Sequence, residues 1–267
     1  MKNSKLLILW LTVIAISACE SDTVEENQEV QQKEVSEETL GKLKNMGFNT
    51  EIIPVFKDGD GVIVEGDIYI SNKELTNPNI SKQKYFRLIS CKNSKNIKIK
   101  NSLGDNVAGK AFDAAVKRWN SVNGSFLKLK VVKKDPDINI RLADKNELKP
   151  RNNSVTYGQG TFPKNGKAGD LIKLKLDAKH SSINNGKKLT QKQWVNVITH
   201  EIGHNIGFAH IKEPSSTAIL VPGTPKFDKK SIMRTYTNDI VGLSGLTEND
   251  KKATKRLYSN QANKICK

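Results

Sequence analysis

The sequence predicts an α+β fold: a main domain of mixed strands and helices, preceded by a small N-terminal α/β appendage. Three observations predict it. From about Asn93 onward, short runs with period-two alternation, such as Ile97-Lys98-Ile99-Lys100, take turns with segments of helical spacing. Thr190-Gln191-Lys192-Gln193 has the form of a capping box, with threonine at the N-cap and glutamine three residues on, at the head of a longer helix. Hydrophobic residues make up 36% of the 267-residue chain, enough for one large core or for a medium domain plus a small unit.

At the N-terminus, Lys2 and Lys5 precede an apolar run from Leu6 to Ile16, followed by Ser17-Ala18-Cys19. The run is too short for a typical membrane-spanning helix and matches the apolar centre of a secretory signal, so residues 1–18 are expected to be a signal peptide. Ile16-Ser17-Ala18-Cys19 resembles the lipobox of bacterial lipoproteins. That resemblance implies that Cys19 is acylated and becomes the new N-terminus; an ordinary signal peptide with an incidental cysteine is the alternative. Several acyl chains on one residue would attach the protein stably to a membrane, where a single chain binds only marginally. Residues 19–38 hold eight acids against one base, Lys33, with almost no bulky side chains, the composition of an acidic flexible tether. An acidic stretch directly after such a cysteine resembles the signal that sends lipoproteins of some Gram-negative lineages to the cell surface. The expected location is therefore the bacterial cell envelope, anchored at the outer membrane or cell surface.

Residues 39–90 read as a small subdomain or a prosegment. A short helix starts at Ser36-Glu37-Glu38, with Leu40, Leu43 and Met46 as its apolar stripe and Gly47 as its stop. Ile52 to Phe56, the turn signal Asp58-Gly59-Asp60-Gly61, and Val62 to Ile70 read as a β-hairpin interrupted at Gly66. The main domain, residues 91–267, continues with a helix from about Asn106, for which Asp105 is the candidate N-cap. Val107, Ala108, Ala111, Phe112, Ala115, Val116 and Trp119 fall at helical spacing along one face of it. Strands follow at Leu127 to Val132, Asp137 to Leu142, Val155 to Phe162 and Leu171 to Leu176. In the third of these, Gly158 and Gly160 weaken the strand and permit close backbone approach, as at a sheet edge. The helix headed by Thr190 buries Trp194, Val197 and Ile198 and stops near Gly207. A last helix begins at Thr247, with Ala253, Leu257 and Tyr258 inward.

The formal charge is +16, and the acids cluster in the tether, so the rest of the chain is more basic still. Such a body attracts acidic surfaces or substrates, or presents a solvated lysine-rich exterior. The lysines are scattered and no nucleic-acid motif is present, so nucleic acid is not an expected partner.

One string concentrates chemistry. His200-Glu201-Ile202-Gly203-His204-Asn205-Ile206-Gly207-Phe208-Ala209-His210 contains three of the chain's four histidines. Positions four apart share a helical face, so His200 and His204 can aim both imidazoles at one ion. Glu201, about 100° further round the helix, would reach a water on the metal and leave the ion to the imidazoles. Gly207 lets the chain reverse and return His210 as a third ligand. Three protein ligands leave a fourth position for water, which distinguishes catalytic from structural zinc.

The string matches the extended HExxHxxGxxH signature of the metzincin zinc peptidases, and Ser231-Ile232-Met233 resembles their Met-turn. His-Glu-Ile-Gly-His, with Val64-Glu65-Gly66-Asp67-Ile68 upstream, is similar to the bacterial dual-action HEIGH metallopeptidases over about residues 40–260. The resemblance implies a metzincin-like mixed twisted sheet, an active-site helix and a C-terminal helix. It also implies an edge antiparallel strand that binds extended substrate, for which Val155 to Phe162 is the candidate. It implies a metalloendopeptidase with Zn2+ on His200, His204 and His210, Met233 beneath the metal, and Glu201 as the general base that activates water. Tyr236 stands one residue later than the tyrosine that serves several metzincin families, so no role is assigned to it; His180 is expected at the surface.

With Cys19 taken by lipid, Cys91 and Cys266 remain, and in an oxidising compartment the pair reads as a disulfide. Cys91 as a metal-capping cysteine, like that of matrixin zymogens, is the competing idea, but its flanking residues lack that pattern. The expected partners are a protein or peptide substrate and a membrane through the Cys19 lipid, with the protein itself a monomer. Two other functions stay open: a zinc-binding surface lipoprotein without catalysis, against which Glu201 argues, and a zinc amidase acting on cell-wall material.

Overall fold

The structure, a computed structural model, describes residues 35–46, 48, 50–51, 54–76, 88–149, 155–211 and 220–259. The chain divides into residues 1–31 and 32–267, and every described residue falls in the second unit. The signal peptide, Cys19, most of the tether and Cys266 lie outside the described residues.

Helix α1 (Glu37–Asn45) is capped by Ser36, whose hydroxyl accepts from the Thr39 amide. Three strands follow: β1 (Phe56–Asp58), β2 (Gly61–Val64) and β3 (Ile68–Ser71); Ser71 and Glu74 then form a capping box that starts the single turn α2 (Asn72–Leu75). The segment expected as one interrupted strand, Val62 to Ile70, is thus two antiparallel strands with Val64 opposite Ile68. Glu65 (φ 57) and Gly66 (φ 98) both adopt left-handed backbone, which reverses the chain where the sequence suggested only an irregularity.

The remaining elements are α3 (Cys91–Ser94), β4 (Ile97–Ser102), α4 (Phe112–Asn120), β5 (Leu129–Val131), β6 (Ile138–Leu142), β7 (Gly158–Thr161), β8 (Leu171–Leu174), α5 (Gln191–Asn205), α6 (Thr237–Ile240) and α7 (Glu248–Leu257). Helix α4 begins later than expected, after a 3-10 turn at Gly109–Ala111. Asp105 does not cap it. Instead the Asn106 side chain accepts from the Ala108 and Gly109 amides at 3.0 and 2.9 Å, a local turn that delays the helix.

Among the described residues, eight strands form one sheet in the order β1-β2-β3-β7-β8-β6-β4-β5. From β4 onward the sheet is mixed: β5, β4, β6 and β8 pair parallel, and β7 runs antiparallel to β8 as the outermost strand of that part. Beyond β7 the N-terminal strands continue the sheet, β3 pairing parallel with β7 through Ile68 opposite Gly160 and Tyr69 opposite Thr161.

Helices α4 and α5 pack on the sheet and fill the main core, which draws on residues between Ile89 and Tyr258. Trp119, 1% exposed, stacks on Phe208 at 5.5 Å and donates from Nε1 to the Thr199 carbonyl, which locks α4 against α5. Burying a side chain of that size contributes about 2–3 kcal/mol. Leu43, Val62, Val64, Ile68, Ile70 and Leu75 form a second, smaller core of their own.

Candidate metal centre

Helix α5 carries the site. Thr190 and Gln193 complete the capping box expected at its head, and His200, Glu201 and His204 sit in its last two turns, each 2% exposed or less. Gly207, with φ 101, turns the chain at the helix end, and the Phe208 amide bonds back to the Gly203 carbonyl. The reversal brings His210 alongside. The three Nε2 atoms lie 3.1–3.2 Å from one another.

Backbone carbonyls fix the ring orientations. Nδ1 of His200 donates to the Ile232 carbonyl at 2.7 Å, and Nδ1 of His204 to the Phe208 carbonyl at 2.8 Å. Those bonds leave both Nε2 lone pairs bare and facing inward, the arrangement that metal-ligating histidines need. A tetrahedral zinc with Zn–N bonds of 2.0–2.1 Å holds its ligand atoms about 3.3–3.4 Å apart, so the three nitrogens fit that ion closely.

The fourth position, expected to be left to water, is taken by the chain itself. Asp67 places Oδ2 3.3 Å from His200 Nε2, and Oδ1 3.6 Å from His204 Nε2 and 3.2 Å from His210 Nε2. Asp67, His200, His204 and His210 form the one group of metal-ligating side chains found among the described residues. The turn at Glu65 and Gly66 delivers the carboxylate, and Glu65 Oε2 comes within 3.4 Å of His210 Nδ1. Burial raises the Asp67 carboxyl, but the charge on His210 and the close contact with the three imidazoles outweigh it and hold the group well below the ordinary carboxylate range. Burial pushes His204 down to about 4, keeping it neutral and able to ligate. Burial also lowers His210, yet Asp67 and Glu65 outweigh it and bring it up to about 9.

Glu201 does not join the four. Burial, with the Asp67 charge beside it, pushes its carboxyl well above the usual range, and its Oε2 has no hydrogen-bond partner among the described residues. The carboxylate lies against β7: a Cβ at Gly158 would stand 2.5 Å from Glu201 Oε1, and one at Gly160 would stand 3.2 Å from His204 Cβ. The two glycines therefore let the strand pass directly over the helix.

Met233, 2% exposed, packs beneath the helix, where a Cβ at Gly203 would meet its Sδ at 2.3 Å. Its carbonyl accepts from the Ile211 amide, next to His210. The turn around Met233 is fastened by Asp250, which accepts from the Ser231 hydroxyl at 2.5 Å and the Ile232 amide at 3.1 Å. Tyr236, 56% exposed, lines a small cleft with Tyr157, Gly158, His200, Glu201 and Asp67. His180 is not among the ligating residues; its Nδ1 lies 2.6 Å from Ser182 Oγ. Cys91 is disulfide-bonded and does not belong to the cluster. Sequence reasoning missed Asp67, Glu65 and Asp250. The first two carried a signal, an acid on either side of a glycine between apolar runs; Asp250 carried one as the third residue of the final helix.

A sequence model of the matrixin family matches residues 94–259. No curated protein matches the chain by sequence. Among solved structures, two of myroilysin are similar at 12% identity and a TM-score of 0.39, covering 62% and 67% of this chain and 84% and 90% of theirs. High choriolytic enzyme 1, a hatching-enzyme zinc-protease from the medaka fish Oryzias latipes, is similar at 16% identity and a TM-score of 0.37, covering 65% of this chain and 94% of its own.

Proposed function

Since the chain belongs to the matrixin family and is a zinc metallopeptidase, we propose that it is a secreted endopeptidase, lipid-anchored at Cys19, with Glu201 as its general base. The observation that carries this reading is the placement of the Glu201 carboxylate: buried, outside the group of four ligating residues, against the backbone of β7, and lining one cleft with His200 and Asp67. His-Glu-Ile-Gly-His and Val64-Glu65-Gly66-Asp67-Ile68 support the bacterial dual-action HEIGH metallopeptidases as the relevant group within the clan.

His200, His204 and His210 would hold the zinc ion, which when bound would supply Lewis acidity, enough to bring the pKa of a water to about 7 and to polarise a peptide carbonyl. With Asp67 withdrawn, Glu201 accepts the proton of the attacking water at a carboxylate oxygen and delivers it to the leaving nitrogen. His200 and His204 hold their orientation through the Ile232 and Phe208 carbonyls, so the site is organised before substrate arrives. The outer edge of β7, once clear of β3, offers main-chain groups to an extended peptide by strand addition.

The test compares casein hydrolysis by the Asp67→Ala protein, which opens the fourth position, with that of Asp67→Ala/Glu201→Ala. Removing a general base lowers turnover by about 10²–10⁴-fold, at unchanged zinc content. Equal turnover in the two proteins would refute the assignment. For the anchor, Cys19→Ser should abolish partition into a detergent phase. For the disulfide, we read Cys266 as the partner of Cys91, and a non-reduced peptide map should show the two linked.

A further inference from the structure

We infer that Lys98, Lys100, Lys128 and Lys130, on the outer face of β4 and β5, form a docking surface for a membrane of anionic, phosphate-bearing lipid headgroups. The inference rests on the reading of Cys19 as a lipid anchor, which puts the chain beside a membrane. Three features lead to it: the register of the lysines, their lack of acidic partners, and the place of β5 in the sheet.

Strand register gathers the four side chains. On β4, Ile97 and Ile99 turn into the main core, 2% and 0% exposed, so Lys98 and Lys100 alternate to the opposite face of the sheet. Lys130 of β5 lies opposite Lys98, and the burial of Leu127 and Leu129 leaves Lys128 and Lys130 exposed on that same side. Strands stand about 4.8 Å apart, and alternate residues of one strand about 6.6 Å apart. Each lysine root thus has a neighbour within the screening length of about 8 Å, and the charges act together.

The charge is not compensated from within. Further along the same face, Arg141 of β6 and Lys173 of β8 lie in register with each other, and Glu147 holds both, at 2.7 and 2.8 Å. Among the described residues, no carboxylate comes within 4 Å of the ammonium of Lys98, Lys100, Lys128 or Lys130. Asp137, the acid that reaches β4, spends its Oδ2 on the Lys98 amide at 2.8 Å. Residues 92–100 and 128–137 together carry eight lysines and two acids. Like charges side by side on neighbouring strands destabilise a sheet, and an external anionic surface offsets that repulsion.

The occupant follows from charge and from where the chain ends. A strand face presents its ammonium groups side by side, a pattern that meets many phosphates at once, as a leaflet of anionic lipid offers them. The sixteen steps from Cys19 to Val35 span at most about 55 Å, so a lipid at Cys19 keeps the body within that distance of the leaflet. An anchor at one residue holds the body near the membrane without orienting it, and a basic face supplies the second attachment. Strand β5 stands four places from β7 in the sheet, about 19 Å at the usual strand spacing. Gly160, which faces α5, is in register with Ile172 and Ile140, so the metal helix lies on the side of the sheet away from these lysines. Docking therefore leaves the cleft uncovered.

The experiment measures vesicle binding apart from the anchor. Full-length Cys19→Ser protein is the parent, so residues 6–16 are common to every variant, and it is co-sedimented with vesicles of phosphatidylcholine, with or without phosphatidylglycerol. A lysine near an anionic leaflet contributes about fivefold to partition, so Lys98→Gln/Lys130→Gln should bind anionic vesicles about 25-fold more weakly, and glutamine at all four positions on the order of 500-fold. Arginine at all four should bind as the parent does, and rising salt should weaken both. A control with Lys42→Gln, Lys44→Gln, Lys110→Gln and Lys251→Gln removes the same charge from lysines that each pair with an acid, and should bind nearly as the parent does. Equal binding by the parent and the fourfold glutamine variant, equal binding to neutral vesicles, or an equal loss in the control would overturn the surface. If the glutamine variant loses only its binding to inorganic polyphosphate, the face belongs to a soluble polyanion and the proposal falls. Detergent partition of the protein with Cys19 intact reads the anchor separately. Lost partition with charge-dependent vesicle binding refutes the anchor alone; retained partition with charge-independent binding refutes the surface alone.

Discussion

Gly158→Ala isolates the contribution of strand β7 to the position of the general base. In the interior of a strand, alanine is ordinarily favoured over glycine by roughly 0.5–1 kcal/mol, so a stability argument alone predicts a benefit. The structure predicts otherwise. The new Cβ would stand 2.5 Å from Glu201 Oε1 and 2.8 Å from its Cδ and Cγ. Ordinary contact begins at about 3.5 Å, so the carboxylate must retreat by roughly 1 Å. A misplacement of that size lowers the rate about 100-fold. The nearest atoms all belong to Glu201, so the imidazoles and the zinc content should not change. The measurement is kcat and KM on a peptide substrate in the Asp67→Ala background, with zinc analysis and a thermal melt. A fall in kcat with KM and zinc preserved is expected. Undiminished kcat in a folded protein, or a loss that tracks loss of zinc, would refute the reasoning. Gly160→Ala gives the internal comparison. Its Cβ meets the helix at 3.0 Å or more and comes no closer to Glu201 than the main-chain carbonyl, so kcat should suffer less.

Gly203→Ala should lower the melting temperature despite removing a helical glycine: overpacking against Met233 Sδ costs about 1–3 kcal/mol against a propensity gain of about 1. Adding Met233→Ala should give a double mutant more stable than the sum of the single effects, read from denaturant midpoints. Asp250→Ala leaves the Ser231 hydroxyl and the Ile232 amide without their acceptor, at about 1–3 kcal/mol. Because Ile232 also orients His200, zinc affinity should fall about 10–100-fold in a chelator competition. Glu147 is held at about 2, chiefly by its hydrogen bond from Arg141, with Lys173 adding to it against the opposing effect of burial. Since the folded value lies below the unfolded one of about 4.3, this stabilisation is present above that pH and lost as pH falls towards about 2. Glu147→Gln should flatten that acid limb in urea titrations. Stripping zinc with a chelator should lower stability by about 4 kcal/mol relative to zinc at a thousandfold excess over its Kd.

What the sequence made legible was whatever its own short-range geometry determines. The capping box at Thr190, the four-residue spacing of His200 and His204 and the reversal at Gly207 each depend on a few neighbouring residues, and the structure places them as that spacing demands. The mixed sheet with β7 antiparallel at the margin of the main domain followed from the metzincin resemblance and from glycines that tolerate a close neighbour. The hairpin misread at Val62 to Ile70 failed for a local reason of its own. Glu65, which is not glycine, adopts a left-handed conformation, and two such residues in succession make a turn that hydrophobic patterning does not register.

Asp67 failed for a different reason. It meets His200 across 133 positions of sequence, and the contact exists only because β3 adds to the outer side of β7. Strand addition to an edge is directed by main-chain hydrogen bonds, which every residue type supplies, so no side-chain pattern in residues 56–75 announces which edge will accept it. The acid could be recognised as exceptional once buried, since a carboxylate removed from water needs a cation to keep its charge. In the sequence it stood among twenty-seven other acids. The histidine string defines where a metal would go without help from the rest of the chain. What occupies the remaining position depends on the pairing of β3 with β7, a long-range contact that the motif does not encode.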